Sequence, residues 1–559
     1  MRLKNPKFIL LGIILLAAFL RLVFLGQVPS GFIPEEVSNG WNAYSILKTG
    51  RDEWNNVLPL VFKETGGYKL ALNSYLIVPS VYIFGLNEFS VRLPVAIAGI
   101  WAVYLTFVLA KLLWKKDSYA LAGSFLLAIN PWVVSIARYG VDVNWGIPLF
   151  LAGLINLLKA KTNIKFLFLA AVCFGLIYYT YFNYIVFGIL FLVSFFAIER
   201  KTFFQLQKIK YLAIFILLQF LFLLPYVTNP LLFTRFRQAT QVNQIGFINR
   251  INERRQACQT IYAPKICSLI YNKVTDKFIE YFKNWINHYS TSVFFLYGSF
   301  LGLSGMPQNW GFFYPFEFGL IVLGIMVLIS NKLFYPILFI WFFVYSIPSS
   351  LASDGHIWRM LTFMPLPSMI GGIGLIESKK YLKKLPLLLG AVCVIVFFIS
   401  RFVIDYFTYM PYAQGPNSYY GFRDTYNYLK TIEKNYNNIV IAPQGMGFDQ
   451  QYIYYLFYLH PDPKILQNEN FVDRIVGDGG WVNVKRIGNW HFVSDVRNVV
   501  FSLPDKTLLV TDNSFNEKEP LPKNVMTANL IKTIYYINGD VAFKILELNK
   551  NPQYKPQDQ

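Results

Sequence analysis

Charge is scarce in this sequence, at 15% of its residues, and cysteine and histidine number four each in 559 positions. So small a charged fraction excludes an ordinary soluble globule, in which roughly a quarter of residues are charged. None of the four histidines stands at metal-ligand spacing from another, so a tetrahedral zinc site is not expected. No G-x-x-x-x-G-K-[ST] phosphate loop occurs, and the glycine-rich run Gly371–Leu375 lies inside an apolar segment rather than after a strand, so its small residues read as a helix-packing face and no nucleotide site is expected. No repeat period is visible. What the chain has in excess is apolar: 55% hydrophobic residues, 18% aromatic ones, and a mean hydropathy of +0.40. Such a chain belongs in a bilayer. Its formal net charge of +20 raises nucleic acid as a partner, but the basic residues fall in short gaps between apolar runs, which is the pattern of membrane topology and of anionic lipid contact; no nucleic-acid partner is expected.

Arg2, Lys4 and Lys7 precede an apolar run from Phe8 to Leu25 that imitates a signal peptide, yet the run is long enough to span and lacks a small-residue cleavage pattern. Further apolar segments lie near residues 91–114, 119–137, 145–160, 164–182, 183–199, 211–227, 314–330, 333–350, 361–377 and 385–404, giving about eleven transmembrane helices. With that count Lys115, Lys116, Lys159, Lys161, Lys165, Arg200, Lys201, Lys208, Lys210, Lys332, Lys379, Lys380, Lys383 and Lys384 all share the side of the N-terminus. The positive-inside rule then makes the N-terminus cytoplasmic in a plasma membrane. Residues 70–87 are apolar but short and contain Pro79; were they to span, the later basic clusters would change sides, so they and Val293–Leu303 are expected to lie at the outer interface.

The outside thus receives a first loop (26–90), a turn at Tyr139–Asn144, a long loop (228–313), the segment Ala352–Arg359, and the tail. Residues 1–404 form the membrane domain and 405–559 a second domain. In the tail, strand-like runs Asn438–Ala442 and Thr507–Thr511 alternate with a helix expected over Tyr420–Asn435, which predicts a small α/β domain.

Glu35 and Glu36 stand side by side just beyond the first membrane helix, where carboxylates are solvated or used. Asp52 and Glu53 after Gly50 read as a solvated turn rather than a cation site. The strings PEEVSNGWNAYSILKTGRDEWNNVLPL from Pro34, GGYKLALNSYL from Gly66, FGLNEFSVRLP from Phe84 and NPWVVSIARYGVD from Asn130 resemble the dolichyl-phosphate-mannose protein mannosyltransferase and bacterial aminoarabinose transferase superfamily. The resemblance runs to about residue 404. It implies a mainly helical, polytopic GT-C fold and an inverting glycosyltransferase (a hexosyltransferase) that takes sugar from a polyprenyl-phosphate donor to an extracytoplasmic acceptor, a protein hydroxyl, a glycan or a lipid, without a cofactor or metal.

By that resemblance Glu35 is the base, in a position where the family usually has Asp. Glu36 completes the acidic pair, and Asp142 matches the second acidic position. A helix cap is the competing reading of Asp142. Lys69 aligns with the lysine of the family's K-P-P-L pattern, here KLAL, and with Arg359 and His356 in DGHIWRM is expected to meet the carrier phosphate. Snorkelling to lipid headgroups is the alternative for both cations. Arg138, Tyr139 and Asn144 are supporting candidates, and Arg92 is expected to hold the loop rather than to touch substrate.

Cys258 and Cys267 share the long outer loop and are expected to pair, since thiols oxidise on that side; Cys173 and Cys393 lie in apolar runs. The cluster Tyr178, Tyr179, Tyr181 and Tyr184 reads as an interfacial aromatic belt, as do Tyr419 and Tyr420. Two further functions compete: a lipid-linked glycan flippase, which would place ionisable residues within the spans, and a catalytically weak glycan-binding homologue.

Overall fold

The computed structural model describes residues 5–64, 67–228, 245–298, 309–351, 357–413, 415, 419–443, 451–468, 471–476, 482–493, 502–513 and 526–550. Each apolar segment expected to span carries helix, from Pro6–Leu22 to Leu385–Ile404. Among the described residues four helices are long and apolar enough to cross a membrane by length and composition: Glu88–Trp114, Asp142–Ala160, Ile209–Thr228 and Leu385–Ala413. The rest are shorter. The expected span 119–137 is two helices, Asp117–Ile129 and Pro131–Ile136. Pro131 has no N–H to continue the ladder, and Asn130 caps the second helix through Val133 N at 3.0 Å.

Small residues let the helices approach. A Cβ on Gly372 would fall 2.3 Å from Gly123 N, and one on Gly374 would fall 1.9 Å from Leu320 O. The run Gly371–Leu375 is thus a packing face of the Pro365–Glu377 helix, as expected.

The basic clusters gather at one end of the bundle. Lys116 and Lys380 both pair with Glu377, at 3.1 and 2.6 Å, and Lys161 pairs with Glu199 at 2.7 Å. Trp114 donates to Leu333 O at 3.3 Å, bringing the Lys115 and Lys332 turns together.

The opposite end carries the first loop. Its helix Pro34–Thr49 starts on proline, is capped by Glu36, and stops at Gly50, whose φ of 69° suits glycine. An antiparallel hairpin follows, β1 (Val61–Glu64) and β2 (Gly67–Leu70), then the helix Leu72–Phe84 over the segment expected at the interface. Its Tyr82, Ile83 and Phe84 are exposed.

The tail is an α/β domain. Strands β3 (Asn438–Ile441), β4 (Val472–Val476), β5 (Val482–Ile487), β6 (Trp490–Phe492), β7 (Thr507–Thr511), β8 (Met526–Tyr535) and β9 (Val541–Lys550) form one sheet in the order β4-β5-β6-β3-β7-β9-β8. The two runs expected as strands, β3 and β7, are its parallel centre, and the expected helix is Phe422–Ile432. This domain shares a hydrophobic core with the first loop: Phe32, Val37 and Trp41 are buried with Phe422, Tyr454 and Phe457. Arg423 pairs with Glu88 at 2.6 Å, and Tyr454 donates to Phe32 O at 2.7 Å.

That docking corrects the reading of Asp52 and Glu53 as a solvated turn. Both are buried, because Tyr452, Gln467 and Arg474 cover them. Asp52 accepts from the backbone of Trp54 and Asn56 at 2.9 and 2.8 Å. Glu53 accepts from Tyr452 Oη at 2.8 Å, and burial pushes its carboxyl up to about 7. A carboxyl raised in the folded state binds its proton more tightly than in the unfolded chain, so stability falls as pH rises from its ordinary value through about 7. Thermal melts are expected to show a higher Tm at about pH 5 than at about pH 7.5, and Glu53→Gln to flatten that slope; a slope unchanged in the variant would remove Glu53 as its cause.

Candidate active site

The first loop, the turn after Ile136 and the segment before Met360 meet around a cavity of about 170 Å³. Glu35, Asn39, Glu64, Lys69, Asp142, Tyr181 and Trp358 are among its lining residues. Two acids and one cation expected from sequence, Glu35, Asp142 and Lys69, thus converge on one space.

Glu35 opens onto the cavity, so solvent reaches it, yet protein surrounds that cavity. The low-dielectric surroundings push its carboxyl up, and the negative charges of Glu64 and Glu36 add to this; its own backbone N–H and Lys69 oppose it. The result is a carboxylate that takes a proton more readily than an ordinary glutamate.

Glu36 has a different task from the catalytic one expected for it. A helix turns about 100° per residue, so adjacent side chains diverge, and Glu36 points into the protein. It is fully buried. Its Oε1 accepts from Arg92 Nε at 2.8 Å and from Gly140 N at 2.8 Å, while Oε2 accepts from Arg92 and from Ile33 N, each at 3.2 Å. Arg92 also donates to the carbonyls of Leu25, Pro29 and Gly31. The pair ties the loop to the Glu88–Trp114 helix and to Gly140.

Asp142 is positioned by residues that the sequence reading missed. Asn39 Nδ2 donates to Asp142 Oδ1 at 3.0 Å and to Gly140 O at 3.0 Å. Ser74 donates to Asn39 Oδ1 at 2.9 Å, Asn73 donates to Gly140 O at 2.8 Å, and Trp145 donates to Asn73 Oδ1 at 3.0 Å. The available signal was spacing, since Glu35 and Asn39 stand four apart on one helix face.

Lys69 is buried, with Nζ 2.6 Å from Glu64 Oε1 and 2.8 Å from Ser38 Oγ. The hairpin creates the ion pair by setting β1 against β2. Arg359 is half-buried in the short helix Ile357–Met360; its neighbour Trp358 supplies the cavity wall there, and the Arg359 carbonyl accepts from Asn183 at 3.3 Å. His356 lies outside the described residues.

The supporting candidates are structural. Arg138 is buried and donates to the carbonyls of Leu20, Val23 and Val28 at 2.9, 2.6 and 2.9 Å, closing the end of the first helix. Asn144 donates to Ile136 O at 2.7 Å and to Tyr139 O at 3.3 Å, fixing the turn that presents Asp142. Tyr139 is buried.

Residues 71–226 match the dolichyl-phosphate-mannose-protein mannosyltransferase family. ArnT from Cupriavidus metallidurans bound to undecaprenyl phosphate is similar in structure, with a TM-score of 0.54, 12% identity, and coverage of 99% of this chain and 99% of that one. The chain has the GT-C fold. An Archaeoglobus fulgidus oligosaccharyltransferase in complex with Zn and sulfate matches at TM-score 0.51 and 15% identity, over 96% of this chain and 72% of that one. The same archaeal enzyme tethered to an acceptor peptide matches at TM-score 0.50, 13% identity, and coverage of 96% and 74%. No curated protein matches the sequence.

Within this GT-C chain the expected disulfide is present: Cys258 and Cys267 pair with their Cα atoms 5.7 Å apart, joining the helices Ile245–Gln259 and Pro264–Ile270. The tyrosine cluster departs from a simple belt. Tyr178 and Tyr184 are buried, Tyr184 donates to Trp358 O at 3.2 Å, and Tyr181 lines the cavity.

Proposed function

We propose that this chain is an inverting glycosyltransferase that moves a sugar from a polyprenyl-phosphate donor to an extracytoplasmic acceptor. The observation that carries the reading is the convergence of Glu35, Asp142 and Lys69 on one cavity. The acceptor hydroxyl oxygen attacks the anomeric carbon, its proton passes to Glu35, the bond from that carbon to the phosphate oxygen breaks, and the electron pair leaves with the carrier phosphate. Asp142, held by Asn39, orients the acceptor or the sugar. Lys69 meets the phosphate charge that develops, with Arg359 beyond Trp358 as a second cation. In support, ArnT of this fold binds undecaprenyl phosphate, and the archaeal oligosaccharyltransferase takes an acceptor peptide.

The membrane domain (1–404) crosses the bilayer about eleven times, with its basic end in the cytoplasm and the cavity outside. The tail (405–559) then stands outside, seated on the first loop.

Lys69 is paired with Glu64 at 2.6 Å, so a donor phosphate competes with a carboxylate for that cation. Glu64→Gln is expected to lower the donor KM. Lys69→Ala removes a charge-assisted hydrogen bond of about 1.5–3 kcal/mol, a rise in donor KM of roughly 10- to 100-fold. Release of carrier phosphate from labelled polyprenyl-phosphate sugars, measured on the full chain in proteoliposomes, tests both. A donor KM unchanged by Lys69→Ala would remove the phosphate from this site.

A further inference from the structure

A second cavity lies between the helices Phe182–Ile198 and Ile209–Thr228, and only its Tyr178 end approaches Thr180 and Tyr181 of the site described above. It holds about 900 Å³, and its walls are almost wholly apolar, with Leu192, Val193, Phe196, Phe215 and Ile216 among them. Leu223 and Tyr178 line one end, Arg200 and Lys201 the other.

We infer that this groove binds one anionic glycerophospholipid of the cytoplasmic leaflet, its acyl chains between the two helices and its phosphate on Arg200 and Lys201. The leaflet rests on the orientation proposed above; the site itself does not.

Length supports this occupant. From Leu212 to Leu223 a helix rises roughly 16 Å, about half the ~30 Å hydrocarbon thickness of a bilayer. The groove is one leaflet deep. The phosphate of a polyprenyl carrier bound beside Lys69 would lie at the other cavity, whereas the cations of this groove are at its far end from Tyr178.

Charge supports it too. Arg200 and Lys201 are exposed at the mouth and form no ion pair among the described residues. The nearest acid in sequence, Glu199, is already paired with Lys161 at 2.7 Å and accepts from Thr202 Oγ1 at 3.2 Å. Lys208 is turned to Thr202 O at 3.1 Å, which adds positive charge without a carboxylate to neutralise it. Inside the groove Gln219 donates to Ala171 O at 2.9 Å, which turns its amide nitrogen toward the neighbouring helix and away from an acyl chain.

Native mass spectrometry of the full chain tests the inference, with equal amounts of phosphatidylglycerol, phosphatidylcholine and a polyprenyl phosphate in the detergent. Phosphatidylglycerol is expected to be retained about tenfold over phosphatidylcholine, the equivalent of roughly 1.4 kcal/mol. The double variant Arg200→Ala, Lys201→Ala is expected to bring the two near parity. Val193→Trp, which fills the groove from an exposed wall position, is expected to abolish retention of both. Equal retention by the unaltered chain, a preference that survives loss of both cations, or displacement of phosphatidylglycerol by the polyprenyl phosphate would each overturn it. Turnover is not the readout, so failure here leaves the proposed transferase reaction standing, and a dead transferase with a selective groove leaves this inference standing.

Discussion

Glu35→Gln is expected to lower turnover by about a hundredfold to ten-thousandfold, the range for removing a positioned general base, while leaving the donor KM within a few-fold of the unaltered chain. The amide keeps the size of the side chain and its place on the cavity wall but cannot take the acceptor's proton. The pH profile gives a second readout. The low-dielectric walls of the cavity raise the Glu35 carboxyl, and only its ionised form is a base, so kcat/KM is expected to fall as pH drops through a value above the ordinary glutamate range. Lys69 counteracts that rise, so Lys69→Ala should move the acid limb to higher pH. Glu64 reinforces the rise, so Glu64→Gln should move the limb to lower pH. Limbs that do not move in opposite directions would dissociate Glu35 from the titration.

Arg92→Leu is the substitution with the largest expected effect on folding. It leaves the Glu36 carboxyl fully buried beside Gly140 N and Ile33 N, with its cation gone. It also strips three loop carbonyls of their donor. Breaking a buried pair from one side costs roughly 3–5 kcal/mol, read as a large fall in Tm and poor recovery from the membrane. Adding Glu36→Gln to Arg92→Leu removes the stranded charge and is expected to restore part of the loss. A double variant no more stable than Arg92→Leu alone would mean that the carbonyl contacts, not the ion pair, dominate.

Periodicity and apolar run length made the helices legible, because a segment that buries its backbone in lipid has few other options. Strand composition did the same for β3 and β7. The disulfide is legible because its two cysteines share one polar loop expected outside the membrane. What the sequence could not show depends on contacts between distant segments. Glu35 and Glu36 look equivalent as letters, and only the partners Arg92, Gly140 and Ile33 separate the cavity acid from the structural one. Asp52 and Glu53 look solvated until Tyr452 and Arg474 arrive from a domain some four hundred residues later. Asn39, Asn73 and Ser74 carry no charge to attract notice, yet their amides and hydroxyl form the network around Gly140 and Asp142. The resemblance points to Lys69, but its partner Glu64 emerges only when the hairpin folds. Arg359 stands out as the charge of its segment, and only the fold shows that its neighbour Trp358 forms the cavity wall in front of it.

The account stands or falls on where a carrier headgroup binds. Electron cryomicroscopy of the full chain with a polyprenyl phosphate should place the phosphate in the cavity between Lys69 and Glu35, with Lys69 Nζ swung from Glu64 toward it. A phosphate resting elsewhere while that cavity stays closed would contradict it.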